Sequence, residues 1–259
     1  MSVSAPIRVA NRQSETLGGE WESRVELAAC YRIFDLLGWT EMIFNHITLR
    51  VPGPERHFLI NPYGLWYREV TASNLVKIDI DGNLIGASEW PVNRAGFVIH
   101  SAIHAAREDA HCIMHTHTTA GMAIACQRDG LASDNFYSAL MHGQVAYHDF
   151  EGVTVRDDEM PRLVRSLGDK SYLILRNHGL LVCGRTVPEA LLRMWTIERA
   201  CQIQHAAQAT GRSLIELPAD VLERTSTMQR ELAPGDPTDR KLFAALQRRV
   251  DAIDPSYRN

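Results

Sequence analysis

An α/β domain carrying helical extensions is the fold that the sequence predicts, and three observations predict it. Apolar residues recur every three to four positions in some segments and alternate strictly in shorter ones. The two patterns interleave along the chain, with no repeat or long linker between them. The 259 residues are 45% hydrophobic and 22% charged, a composition that suits one large domain and excludes a disordered chain, a collagen and a coiled coil.

The elements follow in order. Residues 1–19 are polar, with Arg8, Arg12 and Glu15, show neither period, and read as a flexible arm rather than a signal peptide. From Glu20 the spacing of Val25, Ala29, Ile33 and Leu36 predicts a helix that Gly38 caps. Residues 46–51 place Ile47, Leu49 and Val51 on one face of a half-buried strand. Residues 58–60 form a second strand, stopped by the turn Asn61-Pro62-Tyr63-Gly64. Residues 75–80 alternate again into Asp81-Gly82, a hairpin signal, so the first part reads as one helix followed by antiparallel strands.

After Pro91 the pattern is helical over residues 93–107, then apolar at Cys112-Ile113-Met114, leading into His115-Thr116-His117. A helix over 119–127, a strand over 144–150 and a short helix over 159–167 come next. The strand 172–175 ends in Asn177-His178-Gly179 and continues through Leu180 to Cys183. Pro188 fits the first turn of a helix that Ala190, Leu191, Met194 and Ile197 carry to about Ala209. Residues 219–250 read as one or two further amphipathic helices. The expected organisation is an arm at 1–19, one domain at 20–215 and a helical extension at 216–259.

Charge and cysteines narrow the function. The 27 Lys and Arg against 31 Asp and Glu leave a net charge of -4, which excludes nucleic acid as a partner. No apolar run approaches a membrane span, so no membrane partner is expected. Five cysteines, odd in number and without a CxxC pair, read as reduced thiols of a cytoplasmic protein. No P-loop, GxGxxG or Ser/His/Asp order is present.

Eleven histidines are the count that stands out. On an extended backbone His115 and His117 project to one face and can converge on one metal ion, and a third ligand would complete a site with an open position. His178 is the candidate, because Gly179 beside it lets backbone and ligand approach closely. Packed or surface histidines are the competing reading. His100 and His104 lie one turn apart on a helix without an HExxH acid and read as packing residues. His57 reads as solvated, and His111, His142 and His148 as surface or core residues.

The ordered motifs resemble the class II aldolase and adducin head-domain family. They are Asn45-His46-Ile47-Thr48-Leu49-Arg50, Phe58-Leu59-Ile60-Asn61-Pro62-Tyr63-Gly64, Leu75-Val76-Lys77-Ile78-Asp79 with Gly82, His115-Thr116-His117 and Leu175-Arg176-Asn177-His178-Gly179, and the likeness covers residues 20–208. The adducin-like branch is the closest match, through the segment from Val92 to Ser101 and Val145-Ala146-Tyr147-His148-Asp149-Phe150. The resemblance implies a three-layer α/β/α fold around a mainly antiparallel sheet, and a homotetramer with active sites between subunits. It also implies a divalent metal, zinc first with iron or manganese as alternatives, held by His115, His117 and His178. In the family's aldolases that ion polarises a ketose carbonyl and stabilises an enediolate.

The departures from the pattern matter as much. The family's acid/base position holds Gly96, and Glu89 lies seven residues too early to replace it. His46 stands where sugar-phosphate aldolases place an Asn, although Thr48, Arg50 and Gly64 match. The serine pair ahead of the acid corresponds to Arg94 and Ala95. The resemblance therefore assigns substrate contacts to Gly64 and Arg94 and proton handling to His46 or Tyr137, with Phe136 as the alternative register. The expected activity is a metal-dependent carbon-carbon lyase, aldolase-like or decarboxylase-like, acting on a small oxygenated carbonyl or carboxylate compound. A non-catalytic adducin-like oligomerisation or protein-binding domain, or a mononuclear iron oxygenase, are the alternatives.

Overall fold

The structure, a computed structural model, describes residues 19–153, 157–232 and 236–259. The expected arm lies, apart from Gly19, outside them. Among the described residues, β1 (His46–Arg50), β2 (Phe58–Ile60), β3 (Val76–Ile78), β4 (Cys112–Thr116), β5 (Val145–His148), β6 (Tyr172–Leu175) and β7 (Gly179–Gly184) form one sheet in the order β3-β2-β1-β4-β7-β6-β5. The β5–β6 pair is parallel, and the other pairs are antiparallel.

Strand alternation sorts the side chains into two cores. Ile47 and Leu49 of β1, Cys112 and Met114 of β4 and Leu180 and Val182 of β7 pack under α1 (Glu20–Leu37), α3 (Thr119–Ala125) and α6 (Val187–Gln208). Ile113, Leu173, Leu181 and Cys183 face the other way, against α2 (Arg94–Ala106) and α5 (Met160–Leu167). Helices on both faces of a mainly antiparallel sheet make the three-layer α/β/α arrangement that the resemblance implies. Cys112 is fully buried in the first core, consistent with a packed thiol.

Local chemistry sets the element ends. Gly38, at φ 74°, closes α1 and donates its N–H to Asp35 O, while the N–H of Trp39 reaches back to Phe34 O. Thr186 caps α6 by accepting from the N–H of Glu189, and Pro188 occupies the first turn. The buried Tyr31 hydroxyl accepts from the N–H groups of Ile47 and Asn61, which fixes α1 to β1 and to the turn after β2.

Two elements differ from the sequence reading. β3 stops at Ile78 because Asp79 Oδ1 accepts from the N–H groups of Asp81 and Asn83, turning the chain so that a single bridge, Ile78 to Leu84, represents the expected hairpin. The five-residue α4 (Phe136–Leu140) is too short to show a period. Asn135 makes it, its Oδ1 accepting from the N–H groups of Tyr137 and Ser138. The C-terminal segment forms two helices, α7 (Ala219–Leu232) and α8 (Thr238–Ile253), and α8 packs on α1 and α6. Among the described residues no helix is long and apolar enough to cross a membrane.

Candidate metal centre

The register of β1 against β4 pairs His46 with His115, so both side chains stand on the α2 face of the sheet. His117 follows directly on β4. Its N–H donates to Asn45 Oδ1 at 3.1 Å, and Asn45 in turn donates to Trp39 O at 2.8 Å, so a buried amide holds the chain where it leaves the strand. His178 sits in the tight turn between β6 and β7, with Asn177 left-handed at φ 57° and the His178 N–H bonded to Leu175 O. Gly179 has to be glycine. A Cβ there would run into the Thr116 carbonyl and lie 3.1 Å from His117 Cδ2 and 3.3 Å from His115 Cε1.

These elements bring the three histidines together. Ring centroids lie 4.5 Å apart for His115 and His117, 4.8 Å for His115 and His178, and 4.9 Å for His117 and His178. Their ligand nitrogens all fall within 4.8 Å of one another. His115 Nδ1 lies 2.8 Å from the Leu180 carbonyl, which only accepts, so Nδ1 carries the proton and Nε2 presents its lone pair to the cluster. That Nε2 is 2.7 Å from His117 Nε2. Tetrahedral ligation with zinc–nitrogen bonds of about 2.0–2.1 Å sets ligand nitrogens about 3.3 Å apart, which falls between the closest and widest separations here. The donor set fits a divalent ion.

Burial keeps these rings neutral, the ligating form. It pushes His115 well below the ordinary histidine range and His178 down to about 4, with the neighbouring His117 adding to the second shift. His117 is lowered by burial too, against an opposing pull from Glu41.

His46 is 3% exposed, with its ring centroid 5.2 Å from that of His115 and 4.2 Å from that of His100. Neither of its nitrogens has a hydrogen-bond partner. Burial pushes its pKa down to about 3, against a weaker pull from the Phe44 backbone. A Cβ at Gly96 would lie 2.7 Å from Cγ, Nδ1 and Cε1 of this ring. The imidazole of His46 thus fills the space through which any side chain at position 96 would project.

Behind His46 a polar chain runs into α2. Thr48 Oγ1 lies 2.7 Å from His100 Nδ1 and 2.7 Å from His104 Nε2, and His104 Nδ1 lies 2.8 Å from the Ala110 carbonyl. The carbonyl accepts, so neutral His104 carries its proton on Nδ1 and accepts from the Thr48 hydroxyl at Nε2. Thr48 then accepts from His100 Nδ1–H, which leaves His100 Nε2 bare, and that atom is buried without a partner. Both helix histidines are buried, as the packing reading expects, and hydrogen bonding orders them as well.

A cavity of about 440 Å³ opens over the triad and His46, and Phe44, Tyr63, Asn93, Gly96, Phe150 and Val153 complete much of its wall. The other expected site residues lie elsewhere. Gly64, at φ 108°, is exposed on the turn beside the lining residue Tyr63. Arg94 begins α2, and its side chain lies outside the described residues. Tyr137 packs edge-on against Trp195, with ring centroids 5.2 Å apart, and lines a separate cavity of about 320 Å³. Within one chain it does not join the histidines. Glu89 is exposed and outside the lining.

Glu41 also lines the cavity and was missed by sequence reasoning, as were Phe44 and Val153. Glu41 and Met42 are successive non-glycine residues with φ of 40° and 55°, a conformation with no composition signal. Tyr63, Asn93 and Phe150 lie within the family-like motifs, which is the sequence signal that marks them.

Comparisons with known proteins identify the family and agree with the fold. The family described as Class II Aldolase and Adducin N-terminal domain matches residues 25–205. An aldolase II superfamily protein from Pseudomonas syringae superposes with a TM-score of 0.87 at 46% identity, covering 93% of this chain and 96% of that one. The L-fuculose 1-phosphate aldolase from Glaciozyma antarctica superposes with a TM-score of 0.80 at 30% identity, covering 93% of each chain. Alpha-adducin of Rattus norvegicus is 49% identical over 189 residues, which are 72% of this chain and 26% of that protein.

Proposed function

The chain belongs to the class II aldolase and adducin family, and from that premise we propose that it is a metal-dependent carbon-carbon lyase acting on a small oxygenated carbonyl or carboxylate compound. The observation that carries this reading is the convergence of His115, His117 and His178 in one cavity, with the Nε2 lone pair of His115 directed into the cluster by Leu180. These three residues would hold the ion, zinc first, with iron or manganese as alternatives. When bound, it supplies Lewis-acid polarisation of a carbonyl or carboxylate oxygen and neutralises the charge that develops there as the carbon-carbon bond breaks.

His46 is the proton-handling group of this proposal. It lines the cavity, stands where a side chain at 96 would project, and as a neutral imidazole carries one N–H and one lone pair. A carbanion left by loss of CO2 or an aldehyde would take the N–H proton of His46 as the ring's other nitrogen accepts one from water, so the imidazole ends neutral as the other tautomer and the water as hydroxide. Gly64 and Arg94 are proposed to border the substrate. Tyr137 can serve only from a neighbouring copy, in keeping with a homotetramer whose sites lie between subunits, and a cytoplasmic location belongs to the same proposal.

The test is a screen of metal-loaded protein for CO2 release from 2-keto and 2-hydroxy acids, run beside retro-aldol cleavage of hydroxyketones. Turnover that disappears in the His46→Ala and His178→Ala variants supports the lyase. A second reading, a non-catalytic oligomerisation or protein-binding domain, is favoured by the 49% identity to alpha-adducin. It predicts no turnover of either class by fully metal-loaded protein.

A further inference from the structure

The wall between the histidines and solvent is apolar. Phe44, Phe150 and Val153 are 48%, 54% and 75% exposed while lining the cavity, and Phe150 lies with its ring centroid 6.3 Å from that of His178. Scattered exposed apolar side chains are ordinary, but three around the mouth of one concave site are a surface for a ligand to cover. Charge is scarce there. Among the described lining residues Glu41 is the one acid, and none is Lys or Arg.

Arg50, the arginine of the first motif, is committed elsewhere: its guanidinium donates to Glu108 and to the carbonyls of His104 and Arg107. Among the described lining residues, Phe44, Phe150 and Val153 form the exposed apolar part of the mouth. An aryl or branched alkyl group would meet surface that gains from leaving water.

We propose that the site takes a carbonyl or carboxylate compound with an apolar tail, its oxygenated head at the histidine triad and its aryl or branched alkyl group between Phe44, Phe150 and Val153. The inference rests on the triad holding a metal, as proposed above, and specifies the substrate class of that site.

The experiment measures binding to the full-length, metal-loaded protein by calorimetry. Acetohydroxamate, benzohydroxamate and succinic monohydroxamate share one chelating head and differ in a methyl, phenyl or carboxylate tail. Benzohydroxamate should bind about tenfold or more tighter than acetohydroxamate, and the carboxylate tail should bring no gain. Phe44→Ala and Phe150→Ala should each narrow the benzohydroxamate to acetohydroxamate ratio by about threefold or more.

A ratio near one, a ratio that both variants leave unchanged, or tightest binding by the carboxylate tail overturns the inference while leaving the metal reading intact. An unchanged ratio together with dissociation of an oligomer in Phe150→Ala assigns the patch to a second copy and also overturns it. If none of the three binds and the protein takes up no metal, the metal reading fails first and the inference falls with it.

Discussion

Replacing Gly96 by alanine should act on His46 and on little else. The new Cβ would stand 2.7 Å from three atoms of the His46 ring, whereas non-bonded carbons rest at about 3.5–4.0 Å, so an overlap of roughly 1 Å has to be relieved. The ring has few ways to yield. It is 3% exposed, with His100 and His115 against it, and its free direction is into the histidine-lined cavity. Overpacking of this kind costs about 1–3 kcal/mol. Truncating His46 opens the space, so Gly96→Ala should cost almost nothing in a His46→Ala background. A double-mutant cycle from urea unfolding of metal-free protein would show a coupling of about 1–3 kcal/mol between the two positions. Additive effects, or a Gly96→Ala variant as stable as wild type, would refute the claim that His46 occupies the volume of a side chain at 96.

Three further outcomes follow from the same face of the sheet. Burial holds His104 at about 3 and His100 well below its ordinary value, so between pH 6.5 and about 3 the unfolded chain binds more protons than the folded one. Their contribution is complete above about pH 6.5 and is lost as pH falls, at about 1.4 kcal/mol per pH unit for each. A urea midpoint that stays constant from pH 7 to pH 5 would contradict this. Thr48→Val strands His100 Nδ1 and His104 Nε2, costs about 2–4 kcal/mol, and should abolish the Nδ1–H tautomer of His100 in nitrogen-15 spectra while His104 keeps its own. Gly179→Ala should cost about 3 kcal/mol or more and weaken metal uptake, because its Cβ meets the Thr116 carbonyl and the rings of His115 and His117; a stable variant with normal metal content would speak against that packing.

The layers of the fold were legible because period survives burial. Ile47, Leu49 and Val51 alternate in the sequence and share one core, and the helical spacing of Val25 to Leu36 becomes α1. The missed α4 rests on one capping side chain, Asn135, over five residues, and a periodic signal cannot arise in so short a span. The triad was legible in part. HxH on a strand predicts convergence of His115 and His117, whereas His178 lies 61 positions beyond His117 and reaches them only through the β4–β7 pairing. The contact of His46 with Gly96 joins β1 to α2 across 50 positions, so sequence showed two separate departures from the family pattern where the structure shows one packing arrangement. The apolar mouth draws on two distant loops: Phe150 ends a family-like motif, whereas Phe44 and Val153 belong to none.

The central claim is that the three histidines hold a metal, and elemental analysis tests it most directly. Protein purified without chelator should carry about one divalent ion per chain, zinc in the first instance. The His115→Ala/His117→Ala variant, folded by circular dichroism, should carry none. Metal-free wild-type protein that takes up no zinc, iron or manganese on addition, or a variant that retains its ion, would contradict the account.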